Sequence, residues 1–174
     1  MTESVRIKRL DAVDDHSIGQ LCDVLIDCVE GGASVGFMQP MTQSKAEMFW
    51  RRIAEQVARG ERVLFVAEEG TTIVGAAQLI LAQPENQPHR GDVAKMLVHR
   101  RARKHGVGAA LLDAIERCAR DCGKTLLVLD TASADAERLY ARRAWQRCGE
   151  IPNYALFPDG APCATTIYYK TLVT

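Results

Sequence analysis

No apolar run in this 174-residue chain approaches the ~20 residues that a membrane-spanning helix needs. The stretch from Met1 to Arg9 has no apolar segment of signal-peptide type either, so a cytoplasmic location is expected. Charge of neither sign is in excess: Lys+Arg and Asp+Glu both number 22. Generic binding to nucleic acid or to an anionic membrane leans on a basic surplus, and neither partner is expected. The six cysteines (Cys22, Cys28, Cys118, Cys122, Cys148 and Cys163) contain no CxxC pair. Cys118 and Cys122 share a predicted helix face, but no histidine stands at ligand spacing from them. Buried free thiols in a reducing compartment are therefore expected, and no metal. No repeat, low-complexity tract or linker breaks the chain. With 47% hydrophobic residues, a single domain over 1–174 is the natural reading, large enough for a substantial core.

What is present is an ordered alternation of α and β patterns. Val5 to Arg9 alternates like a half-buried strand. Asp14 or Asp15 caps a helix whose apolar residues run from Ile18 to Val29, and Gly31-Gly32 ends it. A glycine-bearing but apolar loop follows to Met41. A second helix is expected from about Ser44 to Arg59, stopped by Gly60. Strands are expected at Val63–Ala67, Thr72–Leu81 and Asp92–Val98, with a turn at Glu68–Thr71. A helix from Val107 to about Asp121 should bury Val107, Leu111, Ile115, Cys118 and Cys122. Leu126–Leu129 then reads as a central strand. A helix over Ala134–Ala144, strands near Gln146–Glu150 and Thr165–Thr171, and an irregular loop from Pro152 to Pro162 complete the pattern. The Asp92–Val98 strand, its helix and the Leu126–Asp130 strand make a crossover long enough for a parallel pair.

Between that strand and its helix lies Arg103-Lys104-His105-Gly106-Val107-Gly108. A strand, a basic glycine-bearing loop and a helix N-terminus make an anion site. The first-turn N–H groups are free and carry partial positive charge, and glycine lets the backbone come close to a phosphate. A phosphorylated cofactor is the expected ligand.

Arg103-x-x-Gly106-x-Gly108 in this context resembles the acetyl-CoA signature of the GCN5-related N-acetyltransferases (GNAT). The strand Leu126–Asp130 matches that family's other cleft strand. Glu137 to Trp145, with its Leu139-Tyr140 pair, is similar to the family's following helix and turn. A narrower likeness, to the family's tabtoxin-resistance branch, is carried by Gly31 to Met38, Leu129-Asp130-Thr131, Pro158-Asp159-Gly160 and Ile167 to Leu172. The resemblance implies an α/β (α+β) fold. One mixed, mostly antiparallel sheet of six to seven strands would be flanked by about four helices and splayed at a central parallel pair.

The resemblance also implies direct acetyl transfer from acetyl-CoA to an amine, without a metal. The amine must lose a proton, the thioester oxygen gains negative charge, and the leaving thiolate needs an acid. Tyr140 matches the family's cleft tyrosine and is the candidate acid. The backbone N–H of Leu97 or Val98 is the candidate oxyanion donor, on a strand that is bulged in this family. Met96, Leu97 and Val98 would line the cofactor, and Arg103, Lys104, His105, Gly106, Val107, Gly108 and Ala109 would cradle its pyrophosphate. Asp92 and Asp130 compete as base; a carboxyl of ordinary pKa near ~4 suits a water relay better than direct abstraction. Early loops cover the acceptor side in this fold, which makes Glu30, Ser34 and Phe37 candidate substrate contacts.

The expected activity is N-acetylation of a small amine, such as an antibiotic or an amino-acid-like toxin of the tabtoxinine-β-lactam type. A peptide or protein N-acetyltransferase is the alternative within the class, and a non-catalytic acyl-CoA sensor the alternative outside it. Many relatives pair, so a homodimer is expected.

Overall fold

The computed structural model describes residues 5–172. Seven strands form one sheet: β1 (Arg6–Leu10), β2 (Arg62–Glu69), β3 (Thr72–Ile80), β4 (Arg90–Val98), β5 (Leu126–Thr131), β6 (Gln146–Leu156) and β7 (Pro162–Thr171). Their order across the sheet is β1-β2-β3-β4-β5-β7-β6. All neighbours are antiparallel except β4 and β5. The four helices are α1 (Asp15–Glu30), α2 (Gln43–Ala58), α3 (Val107–Asp121) and α4 (Ala134–Arg142), with a short 3-10 turn at Arg100–Ala102. The mixed sheet and its single parallel pair agree with the sequence reading.

Each sheet face carries its own core. On one face α3 buries Val107, Leu111, Leu112 and Ile115 against Val63, Leu79, Val93 and Leu127. On the other, α1 and α2 bury Leu21, Leu25 and Trp50 against Leu64, Val66, Ala76 and Leu97. Each fully buried leucine or isoleucine is worth about 1.5–3 kcal/mol over an exposed one. Strand alternation divides the two sets, with Leu79 and Val93 on the α3 side and Leu64 and Leu97 on the other.

Two elements and two thiols differ from the sequence reading. β6 does not stop at Glu150 but runs to Leu156, so Pro152–Leu156 is strand rather than irregular loop. β6 is an edge strand with register shifts at Arg147/Gly149 and Ile151/Ala155, and such bulges on an edge tolerate a proline that a central strand would reject. α4 ends at Arg142 because Ala144 takes a left-handed φ of 60°. Cys122 and Cys148 are exposed, so only four of the six thiols are buried. Cys122 falls off the buried face because α3 ends at Asp121 and Gly123 turns the chain away at φ 71°.

Candidate active site

The site begins where the sheet comes apart. β4 and β5 pair only at Arg90–Leu126, Gly91–Leu127 and Asp92–Val128. Beyond that, β4 continues along β3 and β5 along β7, leaving a cleft between them. β4 is also bulged. From Ala76 to Gln78 β3 advances two residues, while β4 advances three, from Leu97 back to Ala94. Lys95 lies in the bulge with a left-handed φ of 50°. His99 N–H donates to Val74 at 2.8 Å, so His99 faces β3. Strand alternation then turns the Val98 N–H to the opposite edge, the one β5 has left.

The basic loop follows directly. Asp14, Thr42 and Ser133 cap α1, α2 and α4 with their side chains, whereas α3 starts at Gly106 with no side-chain cap. Its first-turn N–H groups, at Val107, Gly108 and Ala109, are thus open to an external acceptor. Gly106 holds φ 82°, and a Cβ there would meet nothing within 4 Å, so the surface over the helix end is clear. A Cβ on Gly108 would come 3.3 Å from Leu139, which marks where α4 closes on α3. These features fit the pyrophosphate of a cofactor. Arg103 is otherwise engaged: its Nε donates to the Val98 carbonyl at 3.0 Å and its guanidinium reaches the Cys28 thiol at 3.8 Å, locking loop to strand. Lys104 and His105 are exposed.

Tyr140 comes from α4 and is only 3% exposed. Its ring packs 5.8 Å from Trp145 and 5.7 Å from Tyr168. The hydroxyl has no hydrogen-bond partner among the described residues, unlike that of Tyr168, which donates to Glu137 at 3.1 Å. Burial, with the Asp130 charge adding to it, pushes the Tyr140 phenol well above the ordinary tyrosine value. Asp130 stands exposed near the end of β5 and accepts from Thr165 at 3.4 Å. Asp92 sits where the strands part. Its Oδ2 accepts from Gln83 at 3.2 Å and lies 3.6 Å from Arg90, while its Oδ1 is buried without a partner.

The loop between α1 and α2 is tied down along its length. The Ser34 hydroxyl donates to Leu156 at 3.1 Å, Gln39 N–H donates to Pro158 at 3.0 Å, and Glu30 accepts from Met41 N–H at 3.2 Å. Ser34 and one carboxylate oxygen of Glu30 therefore help to hold the loop, while the other Glu30 oxygen carries no bond among the described residues. Phe37 does face a cavity of about 390 Å³, shared with Gly36, Lys45, Met48, Phe49, Arg52 and Lys95.

Similarity to known proteins agrees with this geometry. Residues 33–149 match the Acetyltransferase (GNAT) family. An uncharacterized N-acetyltransferase from the hisH–hisA intergenic region of Azospirillum brasilense is 30% identical over 149 residues, covering 84% of this chain and 83% of that one. The chain belongs to the GNAT acetyltransferase family. Among solved structures, the ribosomal-protein-alanine N-acetyltransferase of Brucella melitensis superposes with a TM-score of 0.81 at 19% identity, over 96% of this chain and 99% of the other. The yncA protein of Salmonella typhimurium, named as an acetyltransferase and solved with its cofactor acetyl-CoA, gives 0.79 at 16%, over 98% and 95%. At these identities the likeness to both is one of fold.

As a GNAT acetyltransferase, this protein uses acetyl-CoA to acetylate an amine. No group of metal-ligating side chains occurs among its described residues. Sequence reasoning named the Gly31–Met38 loop, which supplies Gly36 and Phe37, but missed the α2 and β4 parts of the cavity wall, Lys95 above all. The available signal was a lysine in the middle of the apolar run Val93-Ala94-Lys95-Met96-Leu97-Val98. Strict alternation would set Lys95 on the α3 side, opposite Ala94; the bulge turns it to the α2 side instead.

Proposed function

We propose that this GNAT acetyltransferase transfers the acetyl group directly to the amine of a small molecule. One observation carries the reading: a recess of about 390 Å³, open to the surface, lined by Gly36 and Phe37 of the pinned loop, by α2 and by Lys95 of the β4 bulge, beside the splayed strands. An amino-acid-like toxin of the tabtoxinine-β-lactam type belongs to this class of acceptor. The protein acts in the cytoplasm, as a monomer or as a homodimer.

Bound acetyl-CoA supplies the acyl group as an activated thioester. The open N-terminus of α3 and the loop Lys104–Ala109, braced by Arg103, hold its pyrophosphate, and Met96, Leu97 and Val98 line its arm. The Val98 N–H, turned to the open edge of β4, donates to the acyl oxygen as charge develops there. Tyr140 holds a proton on its hydroxyl for the leaving sulfur, and its raised pKa keeps that proton in place at neutral pH. Asp130, exposed beside the cleft, takes the amine proton through water. Asp92, held by Gln83 and Arg90, orients the approach from the point where the strands divide.

A thiol-release assay with acetyl-CoA, run against a panel of small amines and a panel of peptides, tests the reading. Saturable release with a small amine supports it. Release with peptides alone overturns it in favour of a peptide N-acetyltransferase.

A further inference from the structure

The cavity beside the β4 bulge has a one-sided charge. Lys45, Arg52 and Lys95 line it, and no Asp or Glu does. Lys95 reaches in from the sheet, with Nζ 6.0 Å from the centre of the Phe37 ring and 5.9 Å from that of Phe49. The two rings themselves meet edge to face at 5.2 Å. Nζ would lie 3.4 Å from a Cβ placed on Gly36, an ordinary van der Waals contact, so the end of the lysine abuts the loop. Among the described residues Lys95 has neither a hydrogen-bond partner nor a carboxylate at salt-bridge distance, although most of its stem is covered. Asp130 and Arg62 are the charged groups that reach it at longer range, with opposite effects; burial lowers its pKa. Lys45 spends two of its donors on the Met38 and Pro40 carbonyls, at 3.1 and 3.2 Å, and keeps the third. Arg52 projects from α2 and makes no ion pair among the described residues.

A half-buried lysine without an anion is costly in a free protein, and the two ring faces offset only part of that cost. The missing partner is an anion delivered from the cavity. We infer that Lys95, with Arg52 and Lys45, forms a carboxylate subsite, so that the acceptor is an amine that also carries a carboxylate and an apolar body packed on Phe37, Phe49 and Met48. The inference rests on the small-molecule reading above and narrows its substrate class to amino-acid-like amines.

Two measurements separate the two claims. Calorimetric titration with 3-phenylpropionate and with its amide, which carry no amine and need no turnover, reads the subsite alone. The wild type should bind the acid at least tenfold more tightly than the amide. Lys95→Met and Arg52→Gln should each reduce that preference, Lys95→Met to within about threefold. The lysine already takes the left-handed φ, and Arg52 is exposed on a helix, so both variants should keep the wild-type melting temperature within a few degrees. Equal binding of acid and amide by the wild type, binding of neither, or an unchanged preference in Lys95→Met overturns the subsite. Thiol release with phenylalanine and with phenylalanine amide reads the acceptor. Preference for the free acid, expressed through KM and lost in Lys95→Met, is expected. Equal KM values for the two contradict the carboxylate requirement while leaving small-amine acetylation intact.

Discussion

Asp92 lies opposite Val128 in the final pairing between β4 and β5, and from that pair onward the two strands separate. The hydrogen-bonding edge of β4 from Val93 to Val98 is thereby released on one side. An open helix end at Gly106 lies at one end of that edge, and the buried Tyr140 of α4 carries a hydroxyl with no hydrogen-bond partner among the described residues.

Gly106→Glu and Gly108→Glu should abolish CoA binding. The first forces a side chain into φ 82° and the second drives one against Leu139, and both place negative charge where the pyrophosphate belongs. Gly106→Ala adds only the strain of a left-handed residue, about 1 kcal/mol, and should bind CoA with intermediate affinity. Calorimetric titration with CoA checks the series, and wild-type affinity in both Glu variants would remove the loop from the account.

Tyr140→Phe should lower kcat by roughly 10²-fold or more, the usual scale for a lost acid, and leave CoA affinity in place. The hydroxyl has no partner among the described residues, so melting temperature should move little. A variant with unimpaired kcat would show that the phenol proton is not used.

Glu116 is buried in α3 and accepts from Trp145 Nε1 at 2.9 Å and Lys170 Nζ at 2.7 Å. Glu116→Leu strands the Trp145 donor and leaves the Lys170 ammonium without a carboxylate, and should destabilise the fold by about 3–5 kcal/mol in chemical denaturation. A loss below about 1 kcal/mol would show that the bond Lys170 already makes to the Arg143 carbonyl, at 2.8 Å, is enough to hold the ammonium.

Asp27 ties the end of α1 to the turn that leads into the cofactor loop, accepting from Arg100 N–H at 2.8 Å and from its guanidinium at 3.0 Å. Burial alone would raise its pKa; the bonds from Arg100, with His99 nearby, bring it below the ordinary carboxylate value. The folded pKa is the lower one, so the stabilisation is complete above the unfolded value of about 4 and is lost as pH falls through the folded value. Asp27→Asn should therefore cost about 1–2 kcal/mol at pH 7 and much less near pH 2 in urea titrations. A gap that widens on acidification would reverse the sign and contradict the assignment.

The strand, loop and helix that would carry the cofactor were legible because their signals are local. The glycines, the basic residues and the crossover length of α3 all sit within one stretch of sequence, and Asp14 and Gly123 marked helix ends by the same short-range chemistry. The acceptor half depends on register. A single bulge decides which way Lys95 points, and the cavity joins α2 to β4 across distant sequence, which no pattern within either element reports. β6 was cut short for a related reason: Pro152 signals a break locally, and only its place at the sheet edge lets the strand continue.

The most direct test of acetyl transfer at this cleft is to follow the acetyl carbon itself. With carbon-13-labelled acetyl-CoA and a carboxylate-bearing amine, mass spectrometry should find the label in the N-acetyl product, with unlabelled protein and a rate that falls sharply in Tyr140→Phe. Label recovered as free acetate, or held on the protein, would contradict it.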